Sequence, residues 1–296
     1  MKLKHYGLLL AILSPMFSSI ATIFQSGSTK LLTPLIVASI GSILGSIALL
    51  LIVIISREKI DTRKIRNNWK DLSFMTLLRP LLGVTIFAFG LSMTSAIKAI
   101  FFTKMEPYFV LGWYWILKKE KLHKKYLILL AIHLTGAILL STGGNFGGLG
   151  KAQLGDLLVV AAMGFFSLSY IYGTRLSQKI GAKISNSLTM GIAGMLLLPF
   201  ALIFSPAVVW TFSLGWKYLI AYVILFNVIG LTLWFASLKT VKGWIVSALR
   251  SLGPIVGAPI AWILLGETLS IMQIFGGLIV LITSALIARE HIRTSD

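Results

Sequence analysis

Cysteine is absent from the 296 residues, which excludes disulfides, thiolate metal sites, iron–sulfur clusters and cysteine nucleophiles together and leaves the redox compartment open. Charge is scarce: 12% of residues are Asp, Glu, Lys or Arg, where a soluble domain carries about 25%. Acid is scarcer still, with 9 Asp and Glu against 27 Lys and Arg and a formal net charge of +18. In a soluble chain that surplus would suggest nucleic acid as a partner. Here 57% of residues are hydrophobic and the mean hydropathy is +0.91, so a single water-soluble core would leave apolar surface facing water, whereas a bilayer accepts it. The fold class is all-α integral membrane, with the lipid bilayer rather than nucleic acid as the surrounding partner. The spans also lack HExxH, GxSxG and any cluster of deep His or carboxylates, so neither an enzyme, a bound metal nor a cofactor is expected.

A helix needs about 20 apolar residues to cross the hydrocarbon, and its backbone polar groups must be satisfied within the segment. Ten runs meet that need. The first five are Tyr6 to Phe24, Thr33 to Ile55, Leu72 to Met93, Ser95 to Leu117 and Tyr126 to Thr142. The second five are Gly155 to Arg175, Ser185 to Ser205, Lys217 to Leu238, Lys242 to Leu265 and Ser270 to Ala288. A secretory signal peptide is the rival reading of the first run, because Lys2 and Lys4 precede it, but it is long enough to span and nine more follow. With the N-terminus inside, 20 Lys and Arg fall in cytoplasmic connections, 3 outside and 4 within spans. That asymmetry predicts a multi-pass protein of a prokaryotic plasma membrane with both termini cytoplasmic.

The chain also repeats itself. Shifting Leu77–Leu122 by 147 residues lays it without gaps on Ile224–Leu269, with ten identities that include Gly83 on Gly230, Thr85 on Thr232, Pro107 on Pro254, Trp115 on Trp262 and Glu120 on Glu267. Five spans per half is an odd number, so the second half enters the membrane inverted. The charges agree, since the segment after span four is rich in Lys and its counterpart after span nine has none. Two inverted five-helix repeats are therefore expected, residues 1–143 and 155–296, joined by a glycine-rich linker at 144–154. Gly150-Lys151 in that linker imitates the end of a phosphate loop, but Asn145 and Ala152 occupy places that such a loop reserves for Gly and for Ser or Thr.

The paired pattern Phe89-Gly90-Leu91-Ser92-Met93-Thr94-Ser95-Ala96 then Glu106-Pro107, and Ala236-Ser237-Leu238-Lys239-Thr240, Gly253-Pro254 and Gly266-Glu267 before Leu269, resembles EamA-type members of the drug/metabolite transporter superfamily across essentially the whole chain. The resemblance implies ten helices around a central cavity. Spans three, four, eight and nine would line most of it, one, two, six and seven would contribute, and five and ten would be peripheral. Two departures stand out: Lys119-Glu120 replaces Gly-Glu in the first half, and Gly253-Pro254 replaces Glu-Pro in the second.

An ionisable side chain at the bilayer centre costs about 2.5 to 3.5 kcal/mol on insertion scales and marks a functional candidate by default. Arg79, Lys98, Lys104, Glu106 and Arg250 fall within spans. Four cations against one carboxylate predict a cavity for an anionic metabolite, since Arg and Lys bind carboxylate and phosphate directly. Glu106 is the deep carboxylate that would carry a proton. Tyr108 and Trp234 join the substrate-binding set as cavity walls, with Phe101 and Tyr170 in similar positions. Gly83, Pro107, Gly230 and Pro254 are expected hinge or packing residues, because interrupted helices in corresponding positions of two halves point to a transport site. Asp156 reads as a charge at a helix N-terminus, His133 as bonded to a backbone carbonyl across a helix contact, and Trp113, Tyr114 and Trp115 as an interfacial aromatic belt. Gly276, Gly277, Ser284 and Ala285 would let span ten meet a neighbour closely, as in a homodimer.

The reading is a secondary transporter, exporter or exchanger, of a small polar and anionic metabolite by alternating access. A channel, a scaffold, or proton antiport of amino acids or drugs are its alternatives.

Overall fold

The computed structural model describes residues 2–118, 124–144, 151–237, 240–241, 246 and 253–293. Arg250 and linker residues 145–150 lie outside the described residues, as do the side chains of Lys104, Pro107 and Pro254. Among the described residues every regular element is helical. Helices α1 (Lys2–Leu31) and α2 (Pro34–Ile55) are followed by the short α3 (Thr62–Asn67) in the basic connection. Span three is broken into α4 (Trp69–Thr76), a π-helical segment π1 (Leu77–Gly83) and α5 (Val84–Met93). Span four is broken into α6 (Ala96–Phe102), a 3₁₀ turn (Thr103–Met105) and α7 (Glu106–Lys118). After α8 (Lys124–Thr142), α9 (Lys151–Lys179) and α10 (Ala182–Phe204), span eight is broken into α11 (Leu214–Tyr222), π2 (Val223–Gly230) and α12 (Leu231–Ser237). Helices α13 (Gly253–Leu265) and α14 (Ile271–Arg293) complete the order.

Local chemistry sets several boundaries. Pro34 occupies the first turn of α2 while Thr33 Oγ1 accepts from the Ile36 amide at 3.2 Å, a side-chain cap on a helix whose first N–H is already missing. Asp61 Oδ1 accepts from the Lys64 amide at 3.0 Å and starts α3, an element that lies outside all ten apolar runs.

Among the described residues six helical stretches are long and apolar enough to cross a membrane: Tyr6–Leu31, Pro34–Ile55, Trp69–Met93, Gln153–Lys179, Ala182–Phe204 and Leu214–Trp234. Shorter apolar stretches run through Tyr108–Leu117, Ala131–Leu140, Val256–Leu265 and Ile271–Thr283. Polarity is distributed inside out. Met195, Ile203 and Phe204 on α10 are 68 to 74% exposed, while Ser185, Asn186 and Thr189 of the same helix are buried. Water would penalise that arrangement and lipid favours it, so the chain is a multi-pass membrane protein.

The interruptions of spans three and eight are equivalent. The bond closing π1 runs from the Val84 amide to the Arg79 carbonyl, and the one closing π2 from the Leu231 amide to the Phe226 carbonyl. Both pairs are five residues apart, and the 147-residue shift carries one pair onto the other. Pro80 explains π1 in part, because it has no N–H to donate. No proline occurs in π2, where Asn227 reaches instead to the Gly41 carbonyl of α2 at 2.9 Å. Helix contacts are equivalent as well: α1 packs on α11, π2, α12 and α13, as α9 packs on α4, π1, α5 and α7, while α2 pairs with α10, α8 with α14 and α6 with α13. Between α2 and α10, Ser46 Oγ donates to the Ser187 carbonyl at 2.7 Å and Ser187 Oγ to the Ser46 carbonyl at 2.9 Å.

Gly83 and Gly230 end the two π segments because a side chain has no room there. A Cβ on Gly83 would lie 2.5 Å from the Phe166 ring and 2.9 Å from the Leu78 carbonyl, and one on Gly230 3.0 Å from the Leu225 carbonyl and 3.1 Å from Ser18 Oγ. Overpacking costs about 1–3 kcal/mol, and the Phe166 contact is the tighter. Gly83→Ala is therefore expected to lower the melting temperature of the purified protein more than Gly230→Ala, and equal shifts would contradict the packing described.

Three expectations change. Helix α9 begins at Lys151, inside the expected linker, because apolar periodicity does not register the polar first turn of a helix. Span four, expected as the single run Ser95 to Leu117, is divided by the 3₁₀ turn between Lys98 and Glu106. Gly276 and Gly277 are used within the chain, the first against Gly136 and Leu140 of α8 and the second against Phe101 of α6, so the small-residue face gives no argument for a homodimer.

Candidate functional site

Along α1, Ser14, Ser18, Thr22, Gln25, Ser26 and Thr29 recur every three or four residues and are all buried, so one face of an apolar helix is polar. Ser14 Oγ donates to the Gly230 carbonyl at the end of π2 at 2.9 Å, and Thr22 Oγ1 to the Ser18 carbonyl at 2.9 Å. Gln25 Nε2 has no hydrogen-bond partner among the described residues.

This face forms one wall of a small cavity that is open on one side. Ser18, Ser19, Thr22 and Gln25 supply hydroxyls and an amide, and Thr103 adds another hydroxyl from the 3₁₀ turn of span four. Opposite them stand Phe87 of α5, Phe166 of α9, Tyr222 of α11 and Phe226 of π2. The walls therefore come from spans one, three, four, six and eight. A pocket with an apolar surface and a few converging polar groups has the form of a small-molecule site.

Arg79, in π1, is 4% exposed. Its guanidinium carbon lies 5.3 Å from the centre of the Phe166 ring and 5.7 Å from that of Tyr170, and Nη1 donates to Ser169 Oγ at 3.4 Å. Two aromatic faces stabilise a cation electrostatically in a place where water is scarce. Phe166 thus both contacts Arg79 and lines the cavity. Tyr170 also packs on Trp234 of α12, ring centres 5.0 Å apart, so Arg79 and Trp234 are brought together through α9 behind the cavity wall.

Lys98 serves a different place. Its Nζ lies 3.4 Å from Asp156 Oδ2, and Thr94 Oγ1 donates to Asp156 Oδ1. Asp156 stands in the second turn of α9, so it is an ion-pair partner rather than the helix-start charge expected from a later beginning of that helix. Next to this pair, both carboxylate oxygens of Glu267 accept backbone amides at the start of α6, Ala96 at 3.0 Å and Ile97 at 2.9 Å, and Lys30 Nζ at the end of α1 lies 3.5 Å away. Spans one, three, four, six and nine are fastened at one end of the bundle. Removing one member of a buried pair costs about 3–5 kcal/mol, because the other charge remains without compensation. Lys98→Met is expected to destabilise by about 3 kcal/mol, and Asp156→Asn added to it to recover most of that loss, as a double-mutant cycle in melting temperature would register.

Glu106 is wholly buried at the first turn of α7. The 3₁₀ turn before it packs on α9 and α14. Tyr108, two residues on, faces His133 of α8 with ring centres 4.2 Å apart. His133 Nδ1 is 2.8 Å from Thr283 Oγ1, whose proton goes to the Ile279 carbonyl at 2.7 Å; the imidazole Nδ1–H is therefore the donor. The helix contact was expected, but the acceptor is a hydroxyl rather than a carbonyl. Trp113 likewise turns inward, its indole N–H shared by the Gly164 carbonyl and Ser167 Oγ at 3.1 Å each, while Trp115 is exposed as a belt residue would be.

The described candidates Arg79, Lys98, Glu106, Tyr108 and Trp234 all stand outside the cavity wall. Gln25 and the hydroxyls of α1 carry no charge, so a search for intramembrane charge passes over them. Their spacing was the available signal.

The sequence profile of the EamA-like transporter family matches residues 5–142 and, a second time, residues 153–289. The chain belongs to that family. Among curated EamA-like relatives, an uncharacterised transporter of Methanothermobacter thermautotrophicus is 26% identical over 235 residues, covering 75% of this chain and 65% of the relative. The uncharacterised transporter YetK of Bacillus subtilis is 25% identical over 211 residues, covering 69% and 64%. The matches thus span just under two thirds of either relative's length. A solved crystal structure shares the fold, with a TM-score of 0.70 over 98% of each chain at 16% identity. The EamA-like Gly-Glu pair has a visible physical basis here. Gly266 adopts φ +63°, a conformation that side chains disfavour, and so turns Glu267 back onto the start of α6.

Proposed function

We propose that this protein is a secondary transporter which moves a small polar organic metabolite, anionic at its recognised group, by alternating access, as exporter or exchanger. It would do so with ten spans in two inverted five-helix repeats. The observation that carries the reading is the equivalence of π1 and π2. Helix interruptions at the same register of two repeated segments flank one cavity, and Ser14 of the cavity-lining helix bonds to the last carbonyl of π2. Broken helices paired in this way around a central site are the mark of carriers that rock one half against the other. Arg79 supports the anionic preference, because its buried guanidinium lies against the ring that forms the cavity wall.

The test is flux into liposomes containing the purified protein, with anionic, zwitterionic, neutral and cationic solutes compared. Saturable uptake of an anionic solute, stimulated by the same solute inside, is expected. A linear conductance, or no flux of any solute class, would overturn the reading.

A further inference from the structure

We infer that Gln25 is a specificity-determining residue of the cavity, whose side-chain amide donates to an oxygen of a small carboxylate or amide solute while the solute's apolar body packs on Phe87, Phe166 and Phe226. The inference rests on the transport reading for its physiological meaning, but not for its test. Gln25 is 3% exposed, it lines the cavity, and its Nε2 has no hydrogen-bond partner among the described residues. A buried donor left in that state is costly, and folding does not retain it for stability. An acceptor oxygen arriving in the cavity removes the cost, so the gain on binding goes to solutes that have one.

The rest of the cavity fits the same occupant. Thr22 and Ser18 lie one and two turns from Gln25 on the α1 face, and aromatic rings supply much of the remaining wall. A compact body with one polar end presents complementary groups to both walls, and the cavity widens to admit it. A cation is disfavoured by Arg79, whose guanidinium carbon lies 5.3 Å from the centre of the Phe166 ring. A neutral amide also binds an anion less tightly than a second buried Arg would, and a carrier must release its solute on the far side.

Where a site is built to hydrogen-bond a solute, an analogue lacking the partner group is strongly rejected, because the site's own polar group is left unpaired. The experiment follows the melting temperature of the full chain in detergent with benzoate, benzamide and benzylamine at equal concentrations, for the unaltered protein, Gln25→Leu and Gln25→Glu. Benzoate and benzamide are expected to raise the melting temperature of the unaltered protein, and benzylamine to leave it unchanged. Gln25→Leu is expected to bind benzoate about tenfold more weakly, corresponding to about 1.4 kcal/mol. Gln25→Glu replaces the donor by an acceptor and is expected to reverse the order, with benzylamine stabilising and benzoate not. Equal benzoate affinity in the unaltered protein and Gln25→Leu overturns the inference, as does the absence of benzoate binding to the unaltered protein. The two readings fail separately. Solute exchange that is indifferent to Gln25 leaves the transporter standing without this residue, whereas Gln25-dependent benzoate binding in a protein that moves no solute leaves the site standing without transport.

Discussion

Gly276→Leu is expected to abolish the folded protein. At Gly276 a single added carbon would lie 2.5 Å from the Leu140 amide nitrogen and 2.6 Å from the Gly136 carbonyl oxygen. Both are backbone atoms of α8 and cannot rotate aside, so α8 and α14 would have to separate along the contact. In lipid, helix association rests on close packing rather than on hydrophobic exclusion of water, and separation forfeits that packing. Overpacking of a well-fitted contact costs about 1–3 kcal/mol, occasionally more, and Leu adds three carbons beyond the first. Separation would also pull Thr283 from His133. The expected outcome is loss of the monodisperse peak in detergent chromatography, with Gly276→Ala retaining a peak that melts earlier. An unchanged melting temperature in Gly276→Leu would contradict the helix contact.

The second large effect concerns Arg79. Arg79→Gln is expected to reduce saturable anion exchange by at least about a hundredfold, corresponding to about 2.7 kcal/mol, while Arg79→Lys retains a measurable part. Lysine keeps the charge but not the flat guanidinium that stacks on Phe166 and Tyr170 and donates to Ser169. Flux measured in liposomes distinguishes this from a structural role: the lysine variant should show a raised half-saturation concentration at nearly normal maximal rate. Exchange of an anionic solute that is indifferent to Arg79→Gln would remove the cation from the site.

Sequence and structure agree where the physics is periodic or repetitive. Among the described residues six of the ten apolar runs coincide with helical stretches long enough to span, because lipid demands length and apolarity together. The 147-residue shift anticipates the equivalence of π1 and π2 through Gly83 and Gly230, although identity of residues could not reveal the form of the interruption. Asn227 in one half replaces Pro80 in the other, and the two reach the same backbone geometry by different means. The candidate site was legible only in part. Arg79 and Trp234 both pack on Tyr170 of α9, outside the cavity lining. Lys98 looks identical in sequence to a solute-binding lysine, because its partner Asp156 lies 58 residues away and pairs with it only through the packing of α9 on α6. Glu267 is similar: it belongs to a turn, yet its carboxylate works on the start of a helix more than 170 residues earlier. Gln25 was hidden for the opposite reason, since a neutral side chain in an apolar run attracts no notice until its amide proves to lack a partner.

The π segments bear on how the bundle moves. In a helix, exchanging five-residue for four-residue closure advances everything beyond it by one residue, a turn of about 100° and a rise of about 1.5 Å. Such a change at Leu231 would exchange one ladder rung for another without leaving a backbone group stranded in the membrane, whereas in π1 four-residue closure would leave the Thr76 carbonyl without a donor, because Pro80 has no N–H. A slip of this kind is therefore open to the second half and closed to the first.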